Sequence, residues 1–136
     1  MPGIYFHIPF CKQACHYCNF HFSTSLKYKS QAVEAMLKEL HWRAGYLPQE
    51  PLQSLYFGGG TPSLLEAEEL AAFFDAVVRH FELAPDAEIT LEANPDDLTP
   101  EKLQALRASP VNRLSIGIQS FYEEDLTFFN RAHNAA

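Results

Sequence analysis

Outside one stretch of eight residues this 136-residue chain has no cysteine, and within that stretch it has three. A disulfide uses two thiols and would strand the third, so a fully paired disulfide framework is excluded. No apolar run approaches the ~18 residues that read as a membrane span. The start, Met1-Pro2-Gly3-Ile4, lacks the basic residues and long apolar stretch of a signal peptide. A reducing, cytoplasmic location is the expectation. Acidic residues are missing from the first 33 positions, which carry +3 from Lys12, Lys27 and Lys29, while the remainder carries −10. The resulting net charge of −7 argues against nucleic acid as a partner. An apolar content of 47% suffices for one packed domain.

What is present is concentrated in Cys11-Lys12-Gln13-Ala14-Cys15-His16-Tyr17-Cys18, a C-x3-C-x2-C spacing. A loop this short can turn three thiolates toward one point. Three sulfurs do not complete the closed set of four that structural zinc takes, although His7, His16 or His21 could supply a fourth ligand. A disulfide with one free thiol is a further alternative. A four-iron cluster ordinarily takes one thiolate per iron. Held by three, it leaves one iron open to a ligand the protein does not supply.

The rest of the chain alternates strands and helices. Ile4–Ile8 is a β-branched and aromatic run closed by Pro9, a first strand. From about Lys27 to Tyr46 the period changes, with Val33, Met36, Leu37, Leu40, Ala44 and Leu47 on one helical face. Leu52–Phe57 is a second strand, broken by Gly58-Gly59-Gly60-Thr61-Pro62. Ser63 and Glu66 have capping-box spacing, and Leu70, Phe73, Phe74, Val77, Val78 and Phe81 form the buried face expected of a second helix. Glu88–Glu92 is a third strand, stopped by Asn94-Pro95. Thr99-Pro100-Glu101 opens a third helix carrying Leu103 and Leu106. Arg113–Ile118 is a fourth strand, after which Ser120 and Glu123 cap a short last helix. A β-α-β-α-β-α-β-α order predicts an α/β fold with a parallel sheet and right-handed crossovers, about four βα units of an incomplete barrel. Ligand sites in such sheets lie beyond the carboxyl ends of the strands. The cysteine loop, the glycine run, Glu92 and Gln119 all fall at that edge.

The cysteine stretch resembles the cluster loop of the radical SAM superfamily. Further motifs match in order: Tyr5-Phe6-His7-Ile8-Pro9-Phe10-Cys11, Gly58-Gly59-Gly60-Thr61-Pro62, Glu92-Ala93-Asn94-Pro95, Arg113-Leu114-Ser115-Ile116-Gly117-Ile118-Gln119-Ser120-Phe121 and Arg131-Ala132-His133. Together they are similar to the branch of oxygen-independent coproporphyrinogen III oxidase and its relatives. The resemblance implies a partial (β/α) barrel of radical SAM type. It implies a [4Fe–4S] cluster on Cys11, Cys15 and Cys18. It also implies S-adenosylmethionine contacted by Tyr5, Tyr17, Gly59, Gly60, Thr61, Glu92, Gln119 and Arg131, with Tyr17 packed on the adenine. No side chain is assigned as catalytic. A thiolate-bound cluster beside an anionic cofactor carboxylate would account for the missing early acids, as would chance over a short stretch. The oxidases continue after the third cysteine with Gly and a further Cys, whereas this chain reads Cys18-Asn19-Phe20. That form is similar to the haem-chaperone branch, whose members bind haem and pass it to acceptor proteins. Haem or a porphyrinogen, an acceptor protein and an electron donor are the implied partners. The family's barrel has six βα units and a C-terminal domain, so residues 1–136 are expected to be the N-terminal part of the core domain.

Overall fold

The computed structural model describes all residues, 1–136. Four strands, β1 (Gly3–Ile8), β2 (Leu52–Gly59), β3 (Leu83–Ala93) and β4 (Arg113–Ile116), alternate with four helices. The helices are α1 (Lys29–Trp42), α2 (Ala67–His80), α3 (Pro100–Arg107) and α4 (Glu123–Phe128), and short 3₁₀ turns cover Pro62–Leu64 and Pro95–Asp97. The sheet order is β1-β2-β3-β4, with every neighbouring pair parallel. This is the expected α/β arrangement, with no strand inserted out of turn.

Alternation along the strands divides the sheet into two chemically different faces. Phe6 and Ile8, Leu55 and Phe57, and Ile89, Leu91 and Ala93 join one core with Val33 and Leu40 of α1, Leu70, Phe73, Phe74 and Val77 of α2, and Leu106 of α3. Helices α1 to α3 therefore cover the same face. Its centre is aromatic: Phe57, fully buried, packs against Phe6 at 4.8 Å and against Phe73 and Phe74 at 5.7 Å. The opposite face is polar and carries Tyr5, His7, Tyr56, Glu92, Arg113 and Ser115. No helix is long and apolar enough to cross a membrane.

Several local expectations shift. Helix α1 is shorter at both ends than its apolar period suggested. Strand β3 begins five residues before Glu88, and β4 stops at Ile116. The capping box of α2 is formed by Glu66 and Glu69, not by Ser63 and Glu66. Pro62 opens a 3₁₀ turn that delays the helix, and the buried Ser63 hydroxyl donates to Asp97 at 2.7 Å. Ser120 likewise does not cap α4; Tyr122 occupies that position, and Ser120 donates to Asp125 at 2.6 Å. Val78 and Leu103 are 60% and 43% exposed, so neither belongs to the core. Thr99 and Pro100 start α3 as expected, with the Lys102 amide donating to Thr99 Oγ1 at 3.2 Å.

Phe57→Ala removes the ring on which β1 and α2 meet and is expected to cost about 3–5 kcal/mol. Val78→Ala should change stability by less than about 0.5 kcal/mol. Urea unfolding of both variants checks the contrast, and equal losses would mean that the core is wrongly placed.

Candidate functional site

The three thiols stand on one wall of a cavity of about 260 Å³ at the carboxyl edge of the sheet. Cys11, Cys15 and Cys18 are unpaired and partly exposed. The loop that carries them is closed at its base. Phe10 is buried in the core and bridges to Ser23, the Cys11 amide donates to the Ser23 carbonyl at 3.0 Å, and the Ser23 amide donates to Pro9 at 2.7 Å. Burial pushes the Cys11 thiol above its ordinary range. The neighbouring Cys18 and Cys15 act in the same direction, while a hydrogen bond with Thr61 and the charge of Arg131 oppose them.

The glycine run supplies the opposite rim through backbone contact with β1. Gly59 has φ of +106°, a conformation open to glycine and strained for other residues. A side chain on Gly60 would meet the Phe10 carbonyl at 2.6 Å and that of Ile8 at 2.8 Å. Those carbonyls instead accept hydrogen bonds from the Thr61 and Gly60 amides, each at 2.7 Å. The glycines thus let two loops touch and set Thr61, 3% exposed, beside Cys11.

Glu92, at the end of β3, is held by two donors. The Tyr56 hydroxyl donates to Oε1 at 2.7 Å and the Gly59 amide to Oε2 at 3.2 Å. Tyr17, Gly59, Gly60, Thr61, Glu92, Gln119 and Arg131 all line the cavity with the cysteines. Tyr5 alone among the expected contacts does not. It stacks on Tyr56 at 5.9 Å and bonds His7 Nδ1 at 3.2 Å, one ring removed from Glu92. Burial, with the charge of Glu92 second, raises its hydroxyl pKa.

Arg131 ties the parts together. Its Nη1 donates to Cys15 Sγ at 3.3 Å and to the Tyr17 hydroxyl at 3.1 Å. Its Nη2 donates to Asn94 Oδ1 at 2.9 Å and to the Gly117 carbonyl at 2.7 Å. Asn94 Nδ2 in turn donates to Thr61 Oγ1 at 3.3 Å. The exit of α4 also grips the cysteine loop directly, since Asn130 donates to the Ala14 carbonyl at 2.8 Å and the His16 amide to that of Phe129 at 3.1 Å. On the far side Lys12 is ion-paired with Asp96 at 2.8 Å and with the nearly buried Asp97. Sequence reasoning missed Asn94 and Lys12 as parts of the site. Asn94 lay inside a recognised motif, but nothing in one sequence marks Lys12 as the partner of residues 84 and 85 positions later.

The donor set suits an iron–sulfur cluster better than zinc. No histidine lines the cavity. Of the three histidines a Cys3His site could use, His7 is occupied at both ring nitrogens, by Tyr5 and the His21 carbonyl, and His16 Nδ1 bonds the Phe128 carbonyl at 2.8 Å. Beside the thiols, Arg131 Nε is buried without a partner, a spare donor on a fixed cation that fits an anionic group in the cavity. The residues present therefore fit a cluster held by three thiolates with an anionic group beside Arg131.

The family model described as "Radical SAM superfamily" matches residues 5–136. Among curated proteins, "Heme chaperone HemW" of Mycobacterium tuberculosis is 40% identical over 97% of this chain and 35% of its own length. The protein of that name from Escherichia coli is 39% identical over 96% of this chain and 35% of its own. The "Radical S-adenosyl methionine domain-containing protein 1, mitochondrial" of Mus musculus is 37% identical over 98% of this chain and 30% of its own. The chain thus spans about a third of the length of the curated relatives it matches. The solved structure of the Escherichia coli coproporphyrinogen III oxidase HemN, a radical SAM enzyme, superposes with a TM-score of 0.87 at 32% identity, over 96% of this chain and 30% of that one.

Two outcomes follow for the site. Because the Cys11 pKa is raised, its thiolate fraction at neutral pH is below that of an ordinary thiol. Its alkylation by iodoacetamide should therefore climb with a midpoint above the usual cysteine range, as read by site-resolved mass spectrometry of the apo chain. A midpoint at or below that of a model thiol would contradict the burial. Arg131→Gln removes charge-assisted bonds worth about 1.5–3 kcal/mol each. Amide exchange across residues 12–18 should accelerate about tenfold or more, whereas unchanged protection would show that the loop stands without Arg131.

Proposed function

The chain belongs to the radical SAM superfamily, and from that premise we propose that it is the cluster- and cofactor-binding part of a haem chaperone, with residues 1–136 forming the N-terminal part of its core domain. The observation that carries the reading is the convergence of Cys11, Cys15 and Cys18 with Glu92, Gln119, Thr61 and Arg131 around one cavity. In this reading the cysteines hold a [4Fe–4S] cluster, which when bound supplies one electron to the sulfonium of S-adenosylmethionine. Glu92 and the Gly59–Thr61 backbone accept from the amino group of that cofactor, and Arg131 faces its carboxylate. Tyr17 offers its ring to the adenine. Tyr5 acts at one remove, through Tyr56, on the orientation of Glu92. A haem acceptor, an electron donor and a cytoplasmic setting complete the proposal.

The chaperone reading is favoured over the oxidase by Cys18-Asn19-Phe20 and by the names of the relatives near 40% identity. Oxidation of a porphyrinogen propionate requires the reacting carbon to be placed with little tolerance. Phe20 lines the cavity and is 64% exposed, so a bulky ring stands where the oxidases have a thiol, with Asn19 in place of their Gly. The oxidase remains the second reading because of the 0.87 structural match.

In the full-length protein, anaerobic reconstitution with iron and sulfide should give visible charge-transfer absorption, abolished by Cys11→Ala, Cys15→Ala or Cys18→Ala. Haem should bind, and coproporphyrinogen III supplied with reductant and S-adenosylmethionine should not turn over. Repeated formation of protoporphyrinogen would replace the chaperone reading with the oxidase. Stoichiometric zinc without iron uptake would remove both.

A further inference from the structure

A second cluster of ligating side chains lies far from the cysteine loop, on the helical side of the sheet. His41 stands in the last turn of α1 and His80 is the last residue of α2. The two sequence positions are 39 residues apart, yet His41 Nδ1 and His80 Nε2 are 3.2 Å from each other. Neither ring is buried. They open into a groove of about 520 Å³ between the two helices, which Trp42, Glu34 and Asp75 also line. Lys38 and Arg79 line it as well, so the formal charges around the groove cancel.

We propose that His41 and His80 form a site for a divalent late transition-metal ion of the zinc class, held by two imidazole nitrogens and completed by solvent. The separation is the first argument. Zinc–imidazole bonds are about 2.0–2.1 Å, so two nitrogens at this spacing subtend an angle of about 100° at a shared ion, close to the tetrahedral preference. Ligands on opposite sides of one metal would be about 4 Å apart. The pair therefore fits adjacent positions on a small ion and does not fit the opposed axial positions of haem iron. The second argument is the field. Both rings sit at helix C-termini, where the backbone carries partial negative charge that favours a cation. Binding needs no net change in protonation. Of two neutral imidazoles only one donates across the 3.2 Å gap, and moving that proton to the ring's other nitrogen leaves both facing lone pairs free. With two protein ligands the site is open, consistent with no third His, Cys, Asp or Glu converging on it.

The test uses the whole chain with Cys11→Ser, Cys15→Ser and Cys18→Ser, since thiols also take zinc. Those residues lie outside the apolar core, which the replacement leaves intact. One zinc per chain should bind in calorimetry and raise the thermal midpoint by mass action. His41→Ala and His80→Ala should each weaken zinc at least tenfold while preserving the circular dichroism spectrum. Copper(II), which binds such sites more tightly, is an independent probe, because Trp42 is the only tryptophan and adjoins His41. Copper should quench its emission in the parent and much less in either histidine variant. Zinc uptake that survives in both variants, or no uptake at tenfold excess, overturns the proposal.

Discussion

The guanidinium of Arg131 is the interaction on which the arrangement of the cavity depends. It bonds the cysteine loop at Cys15 and Tyr17, the end of β3 at Asn94 and the end of β4 at Gly117. Three loops, the farthest 116 residues away along the chain, are thereby referred to one planar group with fixed donor directions. A lysine at this position would offer one point charge and could not address four acceptors in different directions. The remaining donor, Nε, is buried without a protein acceptor.

That hub works because the sheet beneath it is rigid on one side and polar on the other. Aromatic packing of Phe57 with Phe6, Phe73 and Phe74 fixes β1, β2 and α2 as one body. The free face then holds side chains that an apolar layer would have to desolvate without partners. Tyr56 and Glu92 share a 2.7 Å hydrogen bond there, which holds the Tyr56 hydroxyl above its ordinary pKa, with burial adding to the effect. Lys12 shows the same economy at the loop. Burial lowers its pKa, but the bonds to Asp96 and Asp97 outweigh that and raise it overall. Its pairing therefore persists across neutral pH, and on the alkaline side it is lost only as pH rises through that raised lysine pKa.

The two histidine-bearing places of the chain illustrate how context decides ligation. His7, in the strand before the three thiols, spends both ring nitrogens on Tyr5 and the His21 carbonyl, and His16, among them, spends Nδ1 on the Phe128 carbonyl. His41 and His80, far apart in sequence, meet nitrogen to nitrogen at the ends of two neighbouring helices. Proximity along the chain offers His7, His16 or His21 as a fourth ligand beside the thiols and gives no sign that His41 and His80 meet.

Much of the molecule was legible in the residues alone. The strand–helix alternation, the parallel order and the edge at which the site lies follow from periodicity and from the rule that βαβ units bring the carboxyl ends of parallel strands together. The three thiols were legible because eight residues cannot carry them far apart. Helix starts were legible where the cap was local, as at Thr99-Pro100, and misplaced where a long-range partner competed, as when Asp97 took the hydroxyl of Ser63. Exposure of Val78 and Leu103 was invisible, because periodicity marks a face without telling how wide the covering neighbour is. The role of Tyr5 beside Tyr56, the lock of Lys12 on Asp96 and Asp97, and the meeting of His41 with His80 belong to the tertiary structure alone. Each depends on which strand or helix lies next in space and at what register, and that is decided by packing of the whole core rather than by any window of sequence.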